Sequence, residues 1–264
     1  MKEKRQHTIL KTNNLSIGYK TKKETTIVSE DINLNFHSGE LIGLVGANGI
    51  GKSTLLRTLT KVQSELSGDI YIKDKLLSDY TNIQLAKVLS LVLTDPLASK
   101  NLTAFELIAL GRQPYTNWLG NLSETDLEIV NSAIEQIHLE DIKHKKCYEL
   151  SDGQLQKVMI ARALAQDTDL IILDEPTTHL DLYHKAYIFK LLQKLSKNTQ
   201  KTILFSTHEL DLAIQLCDKL IVMTDTNVVI DEPCNLIQSE VFSEIFPKDL
   251  IAFDTKTGSF RVKQ

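Results

Sequence analysis

A glycine-rich loop at residues 46–54 carries the residue types that bind a nucleoside triphosphate. It reads GANGIGKST, follows the apolar run 41–45 and fits G-x-x-x-x-G-K-[ST]. Small residues let backbone N–H groups turn toward phosphates, Lys52 adds a point charge, and the Ser53 hydroxyl can ligate Mg²⁺. A glycine turn without a ligand would not explain the Lys-Ser pair at this offset. The residues expected to contact the triphosphate are Gly46, Ala47, Asn48, Gly49, Ile50, Gly51, Lys52, Ser53 and Thr54.

A second cluster consists of two adjacent acids. The apolar run 170–173 is followed directly by Asp174 and Glu175. Asp174 can reach Mg²⁺ through water, and Glu175 stands where a carboxylate could act as base toward an attacking water. Alone, this Walker B pattern is weak evidence, but together with the upstream loop it predicts hydrolysis of the triphosphate.

Residues 150–154 read LSDGQ and begin a helix predicted to reach Gln166. A helix N-terminus offers free N–H groups and the positive end of the helix dipole, which favour an anion. Because the chain's own triphosphate is held by another helix, we expect the γ-phosphate of a second subunit here. The simpler interpretation is that Ser151 only caps the helix and Gly153 is a steric convenience. The residues concerned are Ser151, Asp152, Gly153 and Gln154.

These motifs, in this order, resemble those of the ATP-binding subunits of ABC transporters. LSDGQ is similar to the family's LSGGQ signature, with Asp152 in place of the first glycine. The segment 177–181, TTHLD, resembles the D-loop, and the segment 206–208, STH, resembles the switch-histidine segment. Tyr19, in LSIGYK, is similar to the aromatic residue that stacks on adenine. The resemblance covers nearly the whole chain.

The resemblance implies ATP and Mg²⁺ as cofactors and a head-to-tail homodimer closed by two ATP molecules. It implies catalytic roles for Glu175 and His208, with the imidazole at the γ-phosphate positioning the water. Asp181 would be the D-loop aspartate. We expect His179 and His184, which flank it, to be surface residues near the dimer interface.

One family motif does not match. Where the family carries the Q-loop glutamine, this chain has Thr94, within the segment VLSLVLTDPLASKNLT. The Thr94 hydroxyl could ligate metal, and Asp95 could do so through water. The alternative is that Thr94 only ends a strand before the Asp95-Pro96 turn.

Composition limits the class of protein. With 264 residues and 42% hydrophobic content the chain can form one ATPase unit but not two, so a paired unit requires a second chain. The formal net charge of −4 argues against nucleic acid as a partner. Three scattered cysteines suit a reducing compartment, and no apolar run has the length of a membrane span. We expect a cytoplasmic protein.

Hydrophobic periodicity predicts the elements that position these motifs. Strands are predicted at 9–15, 27–36, 41–45 and 68–72, and helices at 103–112 and 124–137, the latter capped by Ser123 and Asp126. From residue 170, strands at 171–173, 202–205 and 220–223 alternate with helices at 182–195 and 210–216. The alternation predicts an α/β fold whose mainly parallel sheet has helices on both faces. With the resemblance, this is the P-loop ABC-ATPase fold with antiparallel edge strands and a helical insert.

The expected organisation is a single ATPase domain over residues 8–254. Its nucleotide-binding core would comprise residues 8–94 and 155–225, and its helical insert residues 95–154. A C-terminal β and helix extension over 226–264, with a turn at 256–258, would pack on the core.

The segment 106–120, ELIALGRQPYTNWLG, resembles the insert of importers for siderophores, haem and cobalamin. The resemblance implies integral membrane permease subunits, an extracytoplasmic substrate-binding protein as an indirect partner, and a place on the inner face of the cell membrane. Tyr115 and Trp118 could contact the permease or could cover the insert's own core. The alternatives from other classes are a non-transport ABC ATPase acting on nucleic acid or ribosomes, and a small-molecule kinase.

Overall fold

The computed structural model of the protein describes residues 7–93, 97, 99–246, 251–255 and 258–262. A six-stranded sheet lies at its centre. Its strand order is β11-β10-β4-β9-β8-β7, and every neighbouring pair is parallel except β10 with β11. The middle strands are buried on both faces, which explains their continuous apolar runs. The strands are β4 (Leu41–Gly46), β7 (Leu89–Val92), β8 (Leu170–Leu173), β9 (Thr202–Ser206), β10 (Lys219–Met223) and β11 (Val228–Asp231).

A second, antiparallel sheet covers one face of the first. It has the order β2-β1-β5-β6, with β3 also paired to β1. Helix α1 (Lys52–Leu59) lies between the sheets, where Leu55, Leu56 and Leu59 share one buried cluster with Ile42 and Leu44. The antiparallel strands thus form a layer of their own, and β11 is the antiparallel edge of the central sheet. The strands of the second sheet are β1 (Thr8–Lys20), β2 (Thr25–Ile32), β3 (Asn35–His37), β5 (Ser67–Ile72) and β6 (Lys75–Leu76).

Helices α5 (Asp152–Ala165), α6 (Leu182–Thr199) and α7 (Leu210–Leu216) cover the opposite face of the central sheet. The rings of Phe189 on α6 and Phe205 on β9 meet edge to face at 5.0 Å between centroids. The expected mainly parallel sheet with helices is therefore present. A short helix, α2 (Asn82–Leu85), precedes β7.

The helical insert contains α3 (Ala104–Ala109) and α4 (Glu124–Ile137), both packed on α5. Ser123 and Asp126 form the expected capping box at the start of α4. The first predicted helix, 103–112, is too long: α3 ends at Ala109 and a 3₁₀ turn, Leu110–Tyr115, follows. Pro114 lies in this turn and has no N–H to continue the α-helical hydrogen bonds. Gly111 lets the turn lie against α5, because a Cβ there would be 2.3 Å from the Arg162 carbonyl oxygen.

The C-terminal part adds helix α8 (Pro233–Gln238) and the hairpin of β12 (Ile251–Asp254) and β13 (Ser259–Val262). Phe242 is buried in the main core, with the rings of Phe253 and Phe260 packed beside it. Of the expected turn at 256–258, residues 256 and 257 lie outside the described residues. Within the described ranges, no helix combines the length and apolar character needed to cross a membrane.

Candidate functional site

Three loops meet at the carboxyl edge of the central sheet. Strands β4, β9 and β8 are parallel neighbours, and the loops that follow them carry the glycine-rich segment, His208, and the pair of acids, respectively. Ligands of doubly wound sheets bind at this edge. The fold therefore brings together motifs that are far apart in sequence.

The glycine-rich loop is shaped by backbone that other residues would strain. Gly49 has φ 77° and Gly51 has φ 114°. A Cβ on Gly51 would lie only 2.3 Å from a Val28 methyl, whereas one on Gly49 would meet nothing within 4 Å. The loop is thus packed tightly on one side and open on the other, as a phosphate cradle requires. Ala47 and Ile50 are partly buried, and Asn48 is exposed.

Lys52 begins α1 and is 6% exposed. Its Nζ donates hydrogen bonds of 3.0 Å to the carbonyl oxygens of Gly46 and Ala47. Burial lowers the pKa of Lys52 because it disfavours the charged form, while the carboxylates of Glu175 and Asp174 act in the opposite direction. The ammonium is therefore held inside the loop, next to two acids.

Ser53 and Asp174 form an oxygen-rich pair. The Ser53 hydroxyl donates to Oδ1 of Asp174 at 3.3 Å, and the Ser206 hydroxyl donates to the same atom at 2.7 Å. Hydroxyl and carboxylate oxygens are the hard ligands that Mg²⁺ prefers. The two predicted ligands thus fit a magnesium ion, with Ser206 orienting the carboxylate. The third predicted ligand, Thr94, lies outside the described residues.

Glu175 makes polar contacts with three residues. Its Oε1 lies 2.6 Å from Nε2 of His208, its Oε2 accepts a 2.9 Å hydrogen bond from Thr178, and its backbone N–H donates to Ser206 at 2.8 Å. Its φ of 47° is left-handed, a conformation that costs about 1–3 kcal/mol in a non-glycine residue. The predicted base and the predicted switch histidine are thus in direct contact.

The environment of Glu175 keeps it ionised. Burial acts to raise its pKa, but the hydrogen bonds from Thr178 and His208 outweigh this effect and lower the pKa below its ordinary value. The charges of His208 and Lys52 add to the lowering. A carboxylate at neutral pH can accept a proton from water, which is what a general base must do.

Tyr19 lies at the edge of this cluster. Its ring is half-exposed, and its hydroxyl shares a 2.7 Å hydrogen bond with the hydroxyl of Thr54 on α1. The Tyr19 side chain is therefore beside the glycine-rich loop and partly open to solvent.

The signature residues form a capped turn on a separate helix. The Ser151 hydroxyl accepts from the Gln154 N–H at 3.3 Å, and Gln154 Oε1 accepts from the Ser151 N–H at 3.1 Å. Asp152 is exposed at the first helical position, while Gly153 is buried. Ser151 therefore caps the helix, as the simpler interpretation expects. The N–H groups of Asp152 and Gly153 at the helix start still have no intrahelical acceptors.

Asp181 is the N-cap of α6, and its Oδ1 accepts a 2.8 Å hydrogen bond from the His184 backbone N–H. His179 is exposed as expected, and His184 is partly exposed. The sequence motifs do not indicate the roles of two further site residues, Thr178 and Ser206. Thr178 lies in TTHLD and Ser206 in STH. The sequence of these segments does not show which groups the two hydroxyls bind.

The GRQPY segment holds the insert together. Arg112 is 5% exposed, pairs with Asp126 at 2.8 Å and donates to the Ala165 carbonyl oxygen at 3.0 Å. Its guanidinium stacks on the Tyr115 ring at 3.9 Å. Tyr115 is therefore partly buried against Arg112, whereas Trp118 is 91% exposed. Tyr115 thus packs within the insert, and a contact of Trp118 with the permease stays a prediction.

Comparisons with known proteins agree on one family. Residues 29–178 match the ABC transporter family. An ABC transporter ATP-binding protein of Methanocaldococcus jannaschii is 36% identical over 256 residues, covering 97% of this chain and 87% of the relative. The iron(3+)-hydroxamate import ATP-binding protein FhuC of Bacillus subtilis is 33% identical, covering 94% and 92%. The petrobactin import ATP-binding protein FpuD of Bacillus anthracis is 34% identical, covering 90% and 86%.

Solved structures show the same likeness. An inward-facing structure described as a metal-chelate type ABC transporter has a TM-score of 0.78 at 25% identity, covering 96% of this chain and 95% of that one. An ATP-binding cassette in a dimeric post-hydrolysis state, bound to ADP and Pi, has a TM-score of 0.72 at 28% identity, covering 85% and 99%. The chain belongs to the ATP-binding, ATP-hydrolysing proteins of the ABC transporter family.

Proposed function

We propose that this chain is the motor subunit of an ABC importer for iron chelates, in which ATP-driven dimer closure is coupled to a membrane permease. The observation that supports hydrolysis most directly is the contact of Glu175 with His208 beside Lys52. This contact places an ionised base, Glu175, and the imidazole of His208 side by side at the phosphate-binding loop.

The residues act in the following roles. Lys52 and the backbone of residues 46–54 bind the β- and γ-phosphates, and the Tyr19 ring stacks on adenine. Glu175 accepts a proton from the attacking water, and His208 orients that water and the γ-phosphate. Thr178 and Ser206 keep the Glu175 carboxylate and backbone in place.

Ser53 and Asp174 would hold Mg²⁺, which neutralises charge on the phosphates. Thr94 stays a prediction as a third contact at the position of the missing Q-loop glutamine. If its hydroxyl ligates the metal, Thr94→Ser should keep the Mg²⁺ dependence of ATP hydrolysis, whereas Thr94→Val should raise the Mg²⁺ requirement. Identical Mg²⁺ titrations of both variants would remove Thr94 from the site.

Two copies would close head to tail on two ATP molecules. In this arrangement Ser151, Gly153 and Gln154 of one subunit contact the γ-phosphate held by the other, and Asp181 lies at the interface. Free N–H groups at the start of α5 support the role, because they attract anions. Asp152 adds a negative charge at the same turn, and Asp152→Gly tests its effect on the ATP requirement of closure.

The solute is inferred from the relatives. FpuD and FhuC are named for import of petrobactin and iron(3+)-hydroxamate. We therefore propose siderophore-bound iron ahead of haem or cobalamin, delivered by an extracytoplasmic binding protein to the permease. The ATPase subunit would lie on the inner face of the cell membrane, with no nucleic acid as partner.

Uptake measurements test the proposal. Cells lacking the gene would be complemented with the wild-type chain or with Glu175→Gln, and uptake of ⁵⁵Fe-hydroxamate, ⁵⁵Fe-haem and radiolabelled cobalamin would be compared. We expect only the wild type to restore hydroxamate uptake, since Glu175→Gln should lower hydrolysis by about 10²- to 10⁴-fold while keeping ATP binding. Restoration of haem or cobalamin uptake alone would change the solute, and normal uptake of all three in the deletion strain would contradict import.

A further inference from the structure

The His184 ring joins two motifs of the same chain. Its Nδ1 lies 2.9 Å from Oδ1 of Asp181, the atom that also accepts from the His184 backbone N–H. The other edge of the ring covers Gly153, because a Cβ built there would lie 3.0 Å from Cδ2 of His184 and 3.6 Å from Nε2. Gly153 is buried although Ser151 and Asp152 beside it are exposed. One side chain thus contacts both the D-loop and the signature turn.

The carboxylate of Asp181 fixes the tautomer of this imidazole. The backbone and side-chain hydrogen bonds from His184 lower the pKa of Asp181, so its carboxylate is ionised at neutral pH and can only accept. Nδ1 of His184 must therefore carry the proton. The ring orientation set by this bond directs the Cδ2 and Nε2 edge onto Gly153.

A second contact continues along the same two helices. Lys157 lies one turn after Gly153 on α5, and its ammonium is 3.9 Å from the ring centre of Tyr187 on α6. The N-terminal halves of α5 and α6 are therefore in side-chain contact at two points, Gly153 with His184 and Lys157 with Tyr187. Of these side chains, His184 contacts both Asp181 of the D-loop and Gly153 of the signature turn.

We propose that His184 is a positioning residue for ATP hydrolysis, which holds the signature turn at Gly153 in a fixed place relative to the D-loop at Asp181. The two motifs then approach the second subunit as one unit, and less conformational freedom is lost when the dimer closes. This inference rests on the proposed function, because the signature turn acts on ATP of the partner. His184 itself acts through Gly153 and Asp181.

The test measures dimer closure separately from ATP binding. In the Glu175→Gln background, the ATP-dependent dimer dissociation constant is determined by analytical ultracentrifugation, and monomer affinity by titration with a fluorescent ATP analogue. Adding His184→Ala should raise the dimer constant about five- to tenfold and leave monomer affinity unchanged. His184→Asn, whose Nδ2 replaces Nδ1 as donor, should restore closure. His184→Leu, which fills the space without a donor, should not.

Gly153→Ala tests the ring contact directly. Its methyl group would press on the His184 ring, so it should weaken closure less when His184 is already Ala. A double-mutant cycle on the dimer constant measures this coupling. Strictly additive losses would show that ring and turn do not act together and would overturn the proposal.

His144→Asn, an exposed histidine of the insert outside α5 and α6, is the matched control and should change neither constant. Equal dimer constants for His184→Ala and its parent would overturn the inference, as would equal losses in the Ala and Asn variants. Loss of monomer ATP binding in every His184 variant would assign the residue to folding instead. If the Glu175→Gln parent does not dimerise with ATP, the proposed function fails and this inference falls with it.

Discussion

At the scale of single residues, the contacts of Lys52 suit the binding of a triphosphate. Its ammonium is buried, donates to two carbonyl oxygens of the same loop, and lies near the carboxylates of Glu175 and Asp174. Charge-assisted hydrogen bonds to phosphate oxygens are stronger than bonds to neutral carbonyl groups. The triphosphate is therefore expected to take over the Lys52 donors from Gly46 and Ala47.

Lys52→Ala should accordingly reduce ATP affinity by at least about 100-fold, since it removes a buried charge-assisted hydrogen bond worth roughly 3 kcal/mol. Titration with a fluorescent ATP analogue measures the effect, and far-UV circular dichroism checks the fold. Lys87→Ala, a change of the same type outside the loop, is the control. Undiminished affinity in folded Lys52→Ala would contradict the assignment of the loop.

Thr178 controls the charge of the base. Its hydroxyl is one of the groups that lower the pKa of Glu175, so Thr178→Val should raise that pKa. Because the base works only when ionised, the acidic limb of the pH–rate profile should move to higher pH. Single-turnover hydrolysis across pH measures the shift, and Thr178→Ser should leave the limb in place. A limb unmoved in Thr178→Val would mean that Glu175 does not set it.

The residues that sequence could and could not reveal differ in a physical way. Lys52, Ser53, Asp174 and Glu175 lie in short motifs whose spacing reflects a local turn or a strand end. Ser206 joins both acids only because β8 and β9 are neighbours in the sheet. Such contacts depend on strand order, which a local pattern does not contain.

At the scale of elements, local signals determined some bounds and tertiary contacts determined others. The predicted bounds of α4 and α7 are those of the structure, because the spacing of apolar residues in both helices, and the capping box at the start of α4, are local features. β1 continues to Lys20, beyond the predicted end at residue 15, because residues 17–20 pair with β2. The predicted strand 27–36 is divided into β2 and β3, which pair with different parts of β1.

Arg112 joins three elements of the protein. It lies in the 3₁₀ turn, pairs with Asp126 of α4 and donates to the Ala165 carbonyl oxygen of α5. Asp126 has a lowered pKa, chiefly because the Ser123 hydroxyl donates a hydrogen bond to it, and the Arg112 guanidinium adds to the lowering. Removing one partner of a buried pair leaves an uncompensated charge. The insert should therefore be sensitive to this position.

Arg112→Gln should destabilise the protein by about 3 kcal/mol, whereas Arg261→Gln, at an exposed pair, should cost less than about 1 kcal/mol. Urea unfolding followed by far-UV circular dichroism gives both values.

The same pair should make stability depend on pH. The pKa of Asp126 is lowered in the folded protein, so its carboxylate contributes stability at high pH that is lost as pH falls through the folded pKa. The gap between wild type and Arg112→Gln should therefore shrink in acid. Equal midpoints for the two variants would contradict a buried pair.

At the scale of the whole molecule, the groups proposed to act on one ATP lie on two surfaces of the chain. The glycine-rich loop, the two acids and His208 gather at the carboxyl edge of the central sheet, while the signature turn begins α5, the helix on which the insert packs. A head-to-tail pair would bring one surface of each kind to each ATP. The insert then has a further exposed end, at residues 116–121, for another partner.

That end presents the only tryptophan of the chain on an ordered turn. Asn117 Oδ1 accepts hydrogen bonds from the N–H groups of Leu119 and Asn121, and Trp118 and Leu119 are both exposed. Exposed aromatic and apolar side chains on a hydrogen-bonded turn are typical of binding surfaces, because the backbone of the turn loses little entropy on contact. We expect the permease subunit to bind Trp118.

Trp118→Ala should weaken binding of the co-expressed permease at least about tenfold, since a central aromatic contact contributes about 2 kcal/mol or more. ATP affinity of the isolated subunit should not change. Binding to the detergent-solubilised permease measures the loss, with Tyr148→Ala, another exposed aromatic residue, as control. In the wild type, tryptophan emission should shift to shorter wavelength and resist acrylamide quenching once the permease is bound. Unchanged emission in the assembled complex, with normal binding by Trp118→Ala, would place the permease elsewhere on the chain.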